Sequence, residues 1–217
     1  MTRAARPTDG HPPDAPAPSP LRAALVWVAL ALVTVLLAGA FVLALPDAVE
    51  RQRQGRLHRI QAVCEDALRP SPGNSVLGAL PAEAPDFQLQ DWANRTVSLS
   101  SLRGRVVLLN FWFTQCPPCI AEIPSLEKLV QAEKGKPFSL VTVSVDPDWE
   151  TVRKFFSKGT PLTVLLDADK KVPPLYGTEK FPESFLIDRD GKILLYIVSD
   201  RDWSTPAARA CIDAALE

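Results

Sequence analysis

Asn110-Phe111-Trp112-Phe113-Thr114-Gln115-Cys116-Pro117-Pro118-Cys119-Ile120-Ala121-Glu122-Ile123-Pro124 is the stretch on which the reading of this chain turns. It is the end of an apolar run, Arg105 to Trp112, that fits a strand buried on both faces. A helical pattern follows from Pro117 to about Lys134. Two cysteines therefore stand where a buried strand meets a helix. The helix start offers unpaired amides and the positive end of a dipole, and both stabilise a thiolate. A thiol of ordinary acidity becomes reactive in such a place. Proline suits the first helical turn, where its missing N–H costs little. The spacing lets Cys119 attack a mixed disulfide formed at Cys116, so Cys116 is expected to be the exposed nucleophile and Cys119 the more buried resolving thiol. A zinc half-site would need two more ligands at suitable spacing. Only Cys64 and Cys211 remain, each lone and far away, and the histidines are His11 and His58. No metal and no organic cofactor is called for.

Working outward, strand and helix patterns alternate. Pro85 to Phe87 and Thr96 to Leu99 read as short strands around a turn at Ala93-Asn94. Phe138 to Val145 and Leu162 to Leu166 read as core strands, with a helix from Trp149 to Lys158 between them. Ser184 to Asp188 and Lys192 to Val198 flank Asp188-Arg189-Asp190-Gly191, a hairpin signal. Thr205 to Leu216 closes the chain as a helix, capped at Ser204 or Thr205, with Pro206 in its first turn. Strand–helix alternation with a late hairpin predicts an α/β fold, a mixed central sheet with helices on both faces.

The quoted stretch, with Val143-Ser144-Val145-Asp146 and Phe181-Pro182-Glu183-Ser184-Phe185-Leu186-Ile187-Asp188, resembles the TlpA/ResA-like branch of the thioredoxin superfamily over residues 84–217. The resemblance implies a thioredoxin-like fold, with a helix–strand unit inserted between Glu133 and Asp167, and an extracytoplasmic, membrane-tethered thiol–disulfide oxidoreductase. By position, Pro182 matches the family's cis-proline, which packs on the cysteine pair and presents backbone to substrate. Pro124 matches the proline that kinks the family's first helix; the alternative is a boundary between two short helices. Glu122, three after Cys119, matches a glutamate that lies near the cysteines and tunes their proton affinity. A partly buried carboxylate there could take the Cys119 proton; the alternative is an exposed surface acid. Asn110 stands where ordinary thioredoxins carry a buried acid, which moves the proton-shuttle role towards Glu122. Glu183 is either a substrate-side or electrostatic residue or a solvated loop acid. The chain departs from the family at Gln115, where an aromatic usually precedes the first cysteine. Phe181, bulkier than usual before the proline, could restore apolar surface to the substrate-binding lip formed with Gln115.

The N-terminal third concerns address. Residues 1–20 are rich in Pro and Ala and read as a disordered tail. Leu25 to Leu45 carries no charge. As a helix it spans roughly 30 Å, the thickness of a hydrocarbon core. Residues 21–45 are therefore expected to be a transmembrane anchor. Ala38-Gly39-Ala40 resembles a signal-peptide cleavage site, but the apolar run continues beyond it, and the leading polar segment is long for a signal. Residues 46–83 read as a juxtamembrane helix, Asp47 to Arg69, with Leu57, Ile60, Cys64 and Ala67 on one stripe, then a linker at Pro70 to Asn74. Charges flanking the span favour neither orientation strongly. The catalytic domain is placed on the periplasmic side of the inner membrane from the thiol chemistry alone.

Lys plus Arg is 24 and Asp plus Glu is 25, a net charge of −1, which gives no basic surface for nucleic acid. Cys64 and Cys211 would both face an oxidising compartment. Two readings stay open for them, a structural disulfide and a pair of buried free thiols. The family implies protein disulfide clients, apocytochrome c or copper-centre assembly proteins, and a transmembrane electron donor. The rival is a Sco-like copper-binding assembly chaperone, which Phe113-Thr114-Gln115-Cys116-Pro117 also resembles. Those proteins space their cysteines by three residues and need a histidine ligand, and residues 84–217 contain none.

Overall fold

A computed structural model of the protein describes residues 20–67 and 83–217. The expected tail, apart from Pro20, and the expected linker at Pro70 to Asn74 lie outside the described residues. Two compact units divide between Arg53 and Gln54. Helix α1 runs Pro20–Ala67, where two separate helices were expected, and Pro46 falls inside it. A proline withholds one amide bond, and the Ala48, Glu50, Arg51 and Gln52 that follow it are helix formers. In the first unit, the apolar part of α1 is long and apolar enough to cross a membrane, with a mean hydropathy of 2.8 over its best window.

The second unit is built on a seven-stranded sheet in the order β2-β1-β5-β4-β3-β6-β7. The strands are β1 (Gln88–Asp91), β2 (Thr96–Ser98), β3 (Val106–Trp112), β4 (Phe138–Ser144), β5 (Thr163–Leu166), β6 (Glu183–Ile187) and β7 (Ile193–Val198). Strands β3, β4 and β5 run parallel. Strand β6 pairs antiparallel with β3 and then with β7, the expected hairpin. The first strand begins at Gln88, later than expected; Phe87 before it is buried in the core, and its carbonyl accepts the Leu99 amide at 3.3 Å in continuation of the β1–β2 pairing.

All seven residues of β3 are buried, as a central strand with both faces covered requires. Alternation sends Val106, Leu108 and Trp112 to one core and Val107, Leu109 and Phe111 to the other. The first core holds buried residues of α1, α2 (Pro117–Ala132), α3 (Trp149–Phe155) and α4 (Pro206–Leu216). The opposite core, expected beneath helices too, is closed among the described residues by Ala84, Phe87, Leu99, Val172 and Tyr176 from loops and two 3₁₀ turns. The second turn ends at Gly177, whose left-handed backbone (φ 69°) stops the helix there.

The compact unit that holds residues 84–217 reaches back to Gln54. Ile60 and Cys64 are 2% and 1% exposed in the helix-side core. Cys64 is bonded to Cys211 of α4, with a Cα–Cα distance of 4.7 Å. Arg56 donates to the Ala215 carbonyl at 3.0 Å. The last turns of α1 are therefore part of the second unit's packing, because the narrow stripe seen in the sequence has α4 as its partner.

Candidate active site

Strand β3 delivers the chain to the site through Phe113 and Thr114. Thr114 is anchored by Asp146, which follows β4. The Thr114 amide donates to both Asp146 carboxylate oxygens at 3.2 and 3.1 Å, and its hydroxyl donates to one of them at 2.8 Å. Ser144 donates to the other at 2.7 Å. Cys116 is then the N-cap of α2, with its sulfur accepting the Cys119 amide at 3.2 Å. Prolines 117 and 118 occupy the first turn, where no partner for an amide is lost. Pro124 lies inside a single helix rather than between two.

Cys116 and Cys119 are joined by a disulfide, so this is the oxidised form. Cys116 is 4% exposed and Cys119 1%, so Cys116, expected to be exposed, is buried in this form. Its sulfur is tied to Cys119 and lies 3.6 Å from the Phe181 carbonyl. The Phe181–Pro182 peptide is cis, and the Pro182 carbonyl accepts the Ser199 amide at 2.9 Å. Around the pair, Gln115 and Pro117 are exposed, and Ile120 is 40% exposed. Phe113 and Phe181 meet edge to face at 5.5 Å and are half-buried. They supply apolar surface on a lip where Gln115 does not. An open cleft of about 510 Å³ beside Thr114 is lined by Asp148, Glu150, Thr151, Lys154 and Phe155.

Glu122 is one turn beyond Cys119 on α2 and only 2% exposed. One carboxylate oxygen accepts the Trp203 indole N–H at 2.5 Å and the Arg201 amide at 3.2 Å. The other accepts Asn110 Nδ2 at 3.0 Å. Burial pushes its pKa up to about 7; the hydrogen bonds from Trp203, the Arg201 amide and Asn110 pull the other way, and Asp200 adds a smaller upward push. Asn110 Nδ2 also donates to Ser184 at 2.9 Å, while its Oδ1 has no partner. An amide that turns over can meet the carboxylate with its NH₂ and the acid with its oxygen.

The raised pKa makes a stability prediction. The fold holds the Glu122 proton more tightly than the unfolded chain does. The stabilisation is full below pH 4.5 and fades as pH rises through about 7. The span is worth roughly 3 kcal/mol. Glu122→Gln is expected to flatten that slope, measured by denaturant unfolding across pH. Glu183, also raised by burial, contributes a remaining slope of the same sign. An unchanged slope would exclude Glu122 as its source.

Glu183 is the first residue of β6 and is 2% exposed, neither a solvated loop acid nor a surface for substrate. Its carboxylate turns inward, accepting the Lys180 amide at 3.3 Å and facing the Tyr196 and Thr178 hydroxyls. Pairing with Phe111 across the sheet turns it that way. Sequence reasoning gave no role to Asp146, although its motif was noted, and missed Trp203. The available signal for Trp203 was one large aromatic in the polar run Ser199-Asp200-Arg201-Asp202-Trp203 between a strand and a helix.

A thioredoxin-like sheet carrying a dithiol at a helix start, beside a cis-proline, defines a thiol–disulfide oxidoreductase. The redoxin family model matches residues 81–212, and the chain belongs to that family. Over 120 residues it is 34% identical to the thiol-disulfide oxidoreductase ResA of Bacillus thuringiensis, covering 55% of this chain and 69% of that protein. Among solved structures it resembles a putative thiol:disulfide interchange protein DsbE from Chlorobium tepidum, at 37% identity and TM-score 0.58, covering 64% of this chain and 98% of that one. A putative thioredoxin from Neisseria meningitidis is similar at 39% identity and TM-score 0.55, covering 62% and 91%.

Proposed function

We propose that the protein reduces disulfides of client proteins on the extracytoplasmic side of the inner membrane, held there by the apolar part of α1. The observation that carries the chemistry is the Cys116–Cys119 pair at the start of α2, flanked by the Pro182 loop and by buried Glu122. In the reduced form, the Cys116 thiolate attacks a client sulfur. The client S–S bond breaks, and one client thiolate leaves and takes a proton. Cys119 gives its proton to the Glu122 carboxylate, attacks the Cys116 sulfur and closes the internal disulfide, and the second client thiolate leaves. Two electrons pass from the dithiol to the client. A transmembrane dithiol donor then reduces the pair again. No cofactor takes part in these steps.

Glu122 suits the proton step because an acid near neutrality both accepts and releases protons at working pH. The Cys64–Cys211 bond supports an oxidising compartment, since buried structural disulfides belong there. The backbone of Phe181 and Pro182, with the Phe113–Phe181 pair and Gln115, forms the surface proposed to take an extended client segment. Clients of the apocytochrome c or copper-centre assembly type offer the reactive disulfide this reading needs.

The test is a trap. Cys119→Ala in cells is expected to accumulate a mixed disulfide between Cys116 and its client, seen as a reductant-sensitive band and identified by mass spectrometry. Exclusively cytoplasmic captured partners would overturn the location, and no captured partner the direction of electron flow.

A further inference from the structure

We propose that Trp203 is a positioning residue for the dithiol: its indole N–H, with the Arg201 amide, clamps one oxygen of Glu122 and so sets the pH at which that carboxylate can accept the Cys119 proton. The inference rests on the reading of Glu122 as the proton acceptor and adds what controls it.

Trp203 is fully buried in the helix-side core, and its Nε1 lies 2.5 Å from Glu122 Oε1. A buried indole needs a partner for its N–H, and here the partner is a carboxylate, which makes the stronger, charge-assisted bond. Phenylalanine would fill much of the same apolar volume without a donor. The indole's approach is fixed from the loop side by Ser125 of α2. The Ser125 hydroxyl accepts the Trp203 amide at 3.1 Å and faces the Glu122 and Arg201 carbonyls at 2.8 and 3.1 Å. Asp202 accepts the Ser204 amide and hydroxyl at 3.0 and 2.6 Å and steadies the following turn. Residues 201–203 are thus bound to the same helical turn that carries Glu122.

The groups that face this carboxylate come from every packed element. Cys119 precedes it on α2, Asn110 reaches it from β3 with Ser184 of β6 behind, and the loop brings Trp203, the Arg201 guanidinium and Asp200. The Asp200 charge favours the protonated acid and the Arg201 charge the carboxylate. Trp203, like Asn110, is a neutral side chain that bonds the carboxylate directly, so its removal changes Glu122 without changing the charge of the site.

The test uses the reduced full chain in detergent micelles and single-turnover reduction of a peptide disulfide across pH. Trp203→Phe is expected to move the Glu122-dependent limb upward by about one pH unit, the size of one hydrogen bond to a charged acceptor. In a Glu122→Gln background the same substitution should leave the profile's shape unchanged. A fall in Tm with an unmoved limb would overturn the proposal, because packing loss alone does that. A second measurement needs no variant at Trp203. Among the five tryptophan indole N–H signals of the native protein, one should titrate with the midpoint of that limb and stop doing so in Glu122→Gln. Should Trp203→Phe not fold, this titration decides, and no titrating indole overturns the clamp. If the indole titrates while Glu122→Gln keeps the full limb of activity, the clamp stands and the acceptor role of Glu122 falls.

Discussion

Cys116→Ala is expected to remove disulfide reduction almost entirely, by at least about a thousandfold, as loss of a covalent nucleophile does in other enzymes. No other sulfur can stand in. Cys119 is 1% exposed behind the helix start, and Cys64 and Cys211 are bonded to each other at 1% and 0% exposure. The substitution should spare the fold. What it removes locally is the bond across one turn and the sulfur that accepts the Cys119 amide, at a helix start that keeps its prolines. Insulin reduction under a constant thiol donor measures the loss, and circular dichroism checks the fold. Full activity in the variant would show that a different sulfur attacks the client, and the roles assigned along α2 would have to be exchanged or abandoned.

Replacing both Cys64 and Cys211 with Ser is expected to cost about 5 kcal/mol of stability in the chain-entropy model, the yield of closing so long a loop. The bond spans 147 residues, which is nearly the whole catalytic unit. Its loss frees the unfolded chain far more than it disturbs the folded one. Remaining ties between the end of α1 and α4 are the burial of Ile60 and the Arg56 bond to Ala215. These keep the helix docked in the native state without holding the unfolded chain together. Denaturant unfolding of the oxidised full chain measures the difference. Wild-type protein unfolded with excess reductant should approach the double variant. Equal midpoints for oxidised wild type and double variant would mean that the two thiols are unbonded in the folded protein. The consequence for truncation is direct: a soluble form begun at residue 84 discards Ile60 and Cys64 and leaves Cys211 alone in the core.

What could be read from the chain alone was local. Strand β3 announced itself as an apolar run, α2 by its prolines, and the reactive pair by two cysteines at the junction of the two. Each depends on residues that are neighbours in sequence, where backbone geometry dictates who meets whom. The cis-proline loop and Glu122 became legible through resemblance, since neither carries a local signature strong enough to identify it. Glu183 illustrates the limit. Its place beside Pro182 suggested a surface role, while its pairing opposite Phe111 turned it into the interior.

The order of residues was enough to place the dithiol, the alternation that builds a mixed sheet, and an apolar stretch long enough to cross a membrane. Tertiary structure decided that Glu122 is buried, that Trp203 and Arg201 close on it from 81 and 79 residues away, and that the end of α1 belongs to the catalytic unit. The physical reason is the same in each case. A carboxylate's proton affinity depends on which dipoles and how little water surround it, and those neighbours are chosen by how the helices pack on the sheet rather than by the order of residues along the chain.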